Sequence, residues 1–498
     1  MKRIWLGLMI AGLCLWASTI YAEIVFGPNV RVDDTSSSTS TQGSPSLALD
    51  ASGNIYVAWS DNRNGNYDIY FSKSTDGGLT FEPDVRVDDT ETSSSSQSGP
   101  SLAVDYNGHI YIAWQDDRNG NLDIYCSRSS DEGVTFEADV RVDDTGTSTS
   151  EQQRPSLAVD AAGNVYVVWV DGREWLNIFS AKSTDGGATF ETNVKVNTAG
   201  PVTTQPLTTP SIAVGANGFV CSTWNDSQGG GGSAIHFAKS LDGGSSFELN
   251  VYVPTGGWAG ASKVAVDDAS GIIYVIADSV SGDTIVLCRS TDGGLSFEPS
   301  VQIDDDPSSS PGSPSVALDS NGFLYVAWSD NRNGTSEVYF DISTDQGATF
   351  NTDIYVPDTP AGTHESKTPS LAVDAGGNVY IAWTDERNGN PDIFFAKGQD
   401  PVPNIPPIAE AGADVVAGAW EEILVDGSAS YDPDGTIENY KWSRVPDNTV
   451  LCSGTDPACE VKTTGKAEEV IELEVTDNRS RKASDALTII NRRMNVPD

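Results

Sequence analysis

An all-β fold, a seven-bladed β-propeller followed by an immunoglobulin-like sandwich, is predicted by three observations on this 498-residue chain. The octapeptide STDGGLTF (74–81) recurs five more times with small changes, at Ser129, Ser183, Ser240, Ser290 and Ser343. Each copy sits among short runs rich in β-branched and aromatic residues, with no helical period. The surrounding unit repeats seven times, 50 to 60 residues apart. Near-even repetition of one supersecondary unit is the mark of a repeat architecture.

The first unit shows why each element is expected. PSLALD from Pro45, NIYVAWSD from Asn54, DIYFSKS from Asp68 and TFEPDVRVDD from Thr80 are four strands, A to D, bounded by Gly, Asn or Asp. The octapeptide is the C–D turn: its Asp side chain can accept backbone N–H bonds, and its Gly can take positive φ. The A strands begin near Ser46, Ser101, Ser156, Ser211, Lys263, Ser315 and Ser370. Trp59, Trp114, Trp169, Trp224, Trp328 and Trp383 close strand B, where the fifth unit has Ala277. A Trp recurring at one strand end is expected to pack between units. Cys126, Cys221 and Cys288 fall inside strands and are expected to be buried and free.

The last unit ends at DIFFAKGQD without a D strand, whereas VFGPNVRVDD from Val25 is a D strand without its unit. Joined, they leave no open sheet edge. The propeller is therefore assigned to 23–400, a Pro-rich linker to 401–406, a C-terminal domain to 407–492 and a tail to 493–498.

Residues 1–22 have the pattern of a secretory signal, with Lys2 and Arg3 before an apolar run and Ile20-Tyr21-Ala22 before the expected cleavage. Removing it changes the net charge from −42 to −44. So acidic a body repels nucleic acid and anionic membranes, which excludes both as partners. The protein is expected outside the cell or on its surface, where Cys452 and Cys459 are a candidate disulfide.

Two resemblances add to this reading. DGSASYDPDGTIENYKWS from Asp426, continued by EVTDNRS from Glu474, resembles the PKD domain, a small sandwich that the family uses as an extracellular spacer or adhesion module. The octapeptide resembles the Asp-box, or BNR repeat, of sialidases and related propellers. That resemblance assigns Asp76, Asp131, Asp185, Asp242, Asp292 and Asp345 a structural role, on the face away from the functional one. It leaves the B–C and D–A loops as the functional face.

That face repeats W-x-D-x-R: Asp61/Arg63, Asp116/Arg118, Asp171/Arg173, Asp330/Arg332 and Asp385/Arg387. The fourth unit has Asp226 and Gln228, and the fifth lacks both charges in register. Such a rim either grips a carboxylate ligand, since Arg is a planar bidentate donor, or forms an internal lattice between units. The paired acids Asp33-Asp34 and Asp88-Asp89 are candidate calcium ligands; no other cofactor is expected. The expectation is an exported binding or adhesion protein recognising a glycan or an extracellular protein, with the oligomeric state open. The alternative is a sialidase-like exo-glycosidase for acidic sugars, using Arg154, Asp171 and Arg173. For it the chain lacks the Ile of the family's Arg-Ile-Pro, an assignable Tyr–Glu nucleophile pair and the six-bladed ring.

Overall fold

Alternation of β-branched and aromatic residues produces strands along the chain. The computed structural model describes residues 24–491, apart from 36–38, 91–94, 147–148, 174–175, 198–209, 227–232, 280–282, 307–308, 400–406, 434–435, 447 and 478–480. The expected signal segment, linker and tail lie outside the described residues, as does Gln228. Contacts divide the chain into two compact units, one of them Val25–Gln399. It contains no α-helix among the described residues, only a 3-10 turn at Ala216–Gly218.

In the first sheet Gln42–Leu49, Ile55–Asp61, Asp68–Ser74 and Val85–Arg86 pair antiparallel in that order. Five more sheets repeat the A-B-C-D order. The seventh is built from Ser366–Val373, Val379–Asp385 and Asp392–Gln399, and the N-terminal segment supplies its outer strand. Val25 lies opposite Gln399, and Val30 opposite Phe395. Each A strand neighbours the next unit's A strand, and that of unit seven neighbours Gln42–Leu49 of unit one. Seven four-stranded sheets in this order are consistent with a propeller.

Apolar cores lie between successive sheets. Tyr56, Ala58, Ile69 and Phe71 of unit one meet Ile110, Ile112, Trp114 and Tyr125 of unit two. Tyr380, Ala382, Ile393 and Phe395 of unit seven meet Ile55, Val57 and Trp59 of unit one in the same way. All six strand-B tryptophans are fully buried, as inter-unit packing requires. Cys126, Cys221 and Cys288 are free and buried.

The octapeptide turn is held by its own side chains. Asp76 accepts the Ser74 hydroxyl (2.8 Å), the Thr80 N–H (3.0 Å) and the Thr80 hydroxyl (2.6 Å), while Gly78 N–H donates to Ser74 Oγ (2.9 Å). Donation from Thr80 holds the Asp76 carboxyl down to about 2. Gly78 has φ +89°, and a Cβ there would stand 2.3 Å from the Phe395 ring of unit seven. All six turns keep Gly here at positive φ, and at Gly78, Gly133, Gly294 and Gly347 a Cβ would also clash with the preceding sheet, whereas Glu132 and Gln346 replace the first Gly.

The second compact unit includes 407–491. A five-stranded sheet, with Ile437–Val445 and Glu468–Asp477 inside it, faces a two-stranded one of Glu422–Asp426 and Ala458–Lys462. Trp442 is buried between them and donates to the Pro457 carbonyl at 3.0 Å. The Cys452–Cys459 disulfide is formed and ties the two sheets together.

Two measurements check this arrangement. Deleting 23–34 leaves the strand Asp392–Gln399 with a bare edge and is expected to abolish cooperative unfolding or cause aggregation. A truncated protein that melts like the parent contradicts the pairing. Asp185→Ala, which removes the same turn bonds in unit three, is expected to cost roughly 1–2 kcal/mol in chemical denaturation.

Candidate functional site

The rim is built outward from the buried end of strand B. Asp61 has no exposed surface. Its Oδ2 accepts Trp59 Nε1 (3.2 Å), and its Oδ1 accepts the Arg63 N–H (2.8 Å), which turns the chain out of the strand. Arg63 then folds back: Nε and Nη2 reach Asp61 Oδ2 at 2.9 and 2.6 Å. Nη2 also reaches Asp84, just before strand D of its own unit, at 2.6 Å. Nη1 reaches Asp34, just after strand D of the preceding sheet, at 3.2 Å. The guanidinium lies 4.0 Å above the Tyr70 ring.

The arrangement recurs. Arg118 binds Asp116, Asp139 and, across the junction, Asp89. Arg173 binds Asp171, Asn193 and Asp144. Arg387 binds Asp385, Asn29 and Asp358. Arg332 binds Asp330 and Asp353, and Asp353 in turn holds Asp305 of unit five. At each of these five junctions the residues flanking the two D strands exchange backbone N–H bonds, as Asp34 and Asp84 do (3.0 and 3.3 Å).

The residue after strand D and the next unit's arginine appear together. In sequence the position reads Asp34, Asp89, Asp144, Thr198, Thr255, Asp305 and Asp358. Where it is Asp, the following unit carries the arginine; where it is Thr, the following unit, four or five, does not. The five rim arginines are thus already paired with carboxylates of the protein, the arrangement that the internal-lattice alternative describes.

The residue before strand D alternates between Asp84, Asp139 and Asp353 and the amides Asn29 and Asn193. Burial pushes the Asp84 and Asp139 carboxyls up to about 7 and about 8, and Asp353 to about 6. One oxygen of each is buried without a bonding partner. In unit three the Asn193 amide donates to the Val142 carbonyl of unit two at 3.2 Å. A proton on the idle oxygen lets Asp do what Asn does there.

The remaining expected residues fall as follows. Asp171 is fully buried and binds Trp169 and Arg173, so it is not aimed at a substrate. Arg154 sits at the bulge of strand A with φ 59°, its N–H held by Gln115 of unit two. Asp33 and Asp88 accept from Arg31 and Arg86 and from the N–H groups of Ile393 and Ile69. Together with Asp34 and Asp89 they face donors, and no group of three metal-ligating side chains exists among the described residues.

Two residues escaped the sequence reading. Asp278 occupies the place of Ser60 and accepts the Gly260 N–H at 2.7 Å; burial pushes its carboxyl up to about 6. Lys263 occupies the place of Ser46. Aligning the seven units exposes Lys263 as the one residue other than Ser in its column, and Asp278 as the one acid in a column that also holds Ser, Gln, Val, Asn and Thr. Both lie in unit five, beside the break in the lattice, where Trp258 is 56% exposed.

Comparison with known proteins bears mainly on the fold. Residues 411–490 match a family of PKD domains. No curated protein matches the sequence. A crystal structure of a protein of unknown function from Dyadobacter fermentans is 14% identical, covering 76% of this chain and 99% of its own, with a TM-score of 0.50. An α-L-arabinanase from Penicillium chrysogenum is 15% identical over 76% and 98%, with a TM-score of 0.46. An ulvan lyase is 13% identical over 71% and 93%, with a TM-score of 0.49.

Removing Arg118 leaves Asp116 and Asp139 buried without their cation. Arg118→Ala is therefore expected to cost about 3 kcal/mol or more, measured by denaturant unfolding. The acids before strand D give a pH signature. A carboxyl whose folded pKa exceeds its unfolded value of about 4 contributes stability that is full below pH 4 and lost as pH rises through the folded pKa. Between pH 5 and 9 the native protein should lose stability relative to Asp84→Asn/Asp139→Asn, on the order of 2 kcal/mol per site. Parallel pH profiles contradict the protonated form.

Proposed function

We propose that this chain is an exported binding protein, a closed seven-bladed Asp-box propeller at 23–400 with a PKD-like spacer or interaction module at 407–492. Its ligand is a glycan or an extracellular protein, recognised on the loop face at units four and five. One observation carries this reading: all five rim arginines are engaged by the protein's own side chains, four of them reaching an acid of the preceding sheet, and the lattice stops only around units four and five. A scaffold repeated at every unit leaves function to the units that depart from it. These units combine the exposed Trp258 with the glycine run 229–232, which lies between strands B and C of unit four in the sequence. An exposed aromatic plate suits stacking against a sugar ring or a protein side chain.

An exo-glycosidase is the second reading, and Asp278 favours it. A carboxyl raised to about 6 in the inner part of the sheet is poised as a general acid near neutral pH. The two readings separate in one experiment, in which the purified protein is applied to a glycan array with fluorogenic glycosides, sialosides included, in parallel. Glycan binding lost in Trp258→Ala without turnover is the expected result. Turnover that disappears in Asp278→Asn establishes the enzyme instead, and binding unchanged in Trp258→Ala removes the proposed surface.

A further inference from the structure

We propose that the axis of the ring holds a small monoanion, such as a carboxylate, between Lys263 of unit five and the Val316 N–H of unit six. This rests on the A strands surrounding an axis, as in the closed ring proposed above.

The A strands are joined by a repeated bond. A serine hydroxyl oxygen in one unit accepts the backbone N–H of the next: Ser46 from Leu102 (3.0 Å), Ser101 from Leu157 (2.9 Å) and Ser156 from Ile212 (3.4 Å). Ser211 accepts from Val264 (3.2 Å), Ser315 from Leu371 (3.1 Å) and Ser370 from Leu47 (2.9 Å). Six of seven junctions are made in this way. At the seventh, strand register puts Lys263 where the serine belongs, opposite Ile276 as Ser46 is opposite Ala58. Val316 stands where Leu47 stands, opposite Val326 as Leu47 is opposite Val57.

An ammonium group has donors only and cannot accept the Val316 N–H as serine would. Lys263 makes no hydrogen bond or ion pair with any described residue. Burial pushes its pKa down, and no acid is near enough to offset this. Its partial exposure leaves it reachable by a small solute. Register brings two donors to one junction, and among the described residues no side chain accepts from either. An anion there bonds both, restores the charged amine and completes the ring of inter-strand bonds. One positive charge suits a monoanion, because a dianion would leave a charge uncompensated in a desolvated site.

The test is thermal unfolding of the full chain and of Lys263→Ser, which inserts the residue that the other junctions use. Both are titrated with acetate at constant ionic strength against a bulky buffer anion, and with sulfate in parallel. The native protein should show a Tm that rises and saturates with acetate, and rises less with sulfate. Lys263→Ser should melt higher than the native protein without acetate and should not respond to it. An equal acetate response in both proteins overturns the anion site, and a larger response to sulfate overturns its monoanion chemistry. If Lys263→Ser instead melts lower while the native protein still responds to acetate, the serine ring has been misjudged rather than the anion.

Discussion

An arginine that binds two or three carboxylates at once is the interaction on which the sheet array depends. The guanidinium offers five donors in a rigid plane, so it can bind an acid on its own strand B and acids on two different D strands. Lysine has neither the plane nor the reach. Here the group is also stacked on an aromatic ring, and the acids beneath it are almost fully buried. At five inter-sheet junctions one edge thus carries a charged clasp. The same clasp ties the N-terminal segment to the seventh unit, where Asn29 meets Arg387 and Asp358.

A buried clasp of this kind is as much about geometry as about stability. Separating any one partner leaves an uncompensated charge away from water, so the junctions hold one register. Neutralising one acid lowers the cost, which explains why Asp and Asn interchange before strand D. It also explains why units four and five can abandon the clasp only by losing both partners together. That sector keeps its apolar core, with Ile235, Phe237 and Val253 packed on Val264, Ile273 and Val275, and loses only the charged edge. Freed from that constraint, its rim can vary for recognition.

Much of the architecture was legible in the sequence because it is local. The octapeptide turn closes within seven residues, and the strand-B tryptophan is visible in six units. The Asp–Arg pair of the rim was also visible. Its partners were not, because Arg63 meets Asp84 and Asp34 only after three strands have been laid side by side. For the same reason Asp33-Asp34 looked like hard oxygen ligands: a pair of acids in sequence does not reveal that Arg31, Arg63 and two backbone N–H groups will face it. Lys263 stood in plain view at the start of an A strand. Its meaning depends on what the serines in that column accept, which is a matter of strand register.

Charged clasps couple the sheets at five junctions and leave the junctions of unit four with units three and five without one. Native-state hydrogen exchange, resolved to the C and D strands, tests this most directly, because it reports the free energy of local opening at each sheet. Amides of units one, two, six and seven should exchange only with global unfolding. Those of Ala234–Ser240 and Val251–Val253 in unit four, and of Thr284–Ser290 in unit five, should open at lower free energy. Uniform protection across the seven units, or units four and five protected above the rest, contradicts this coupling.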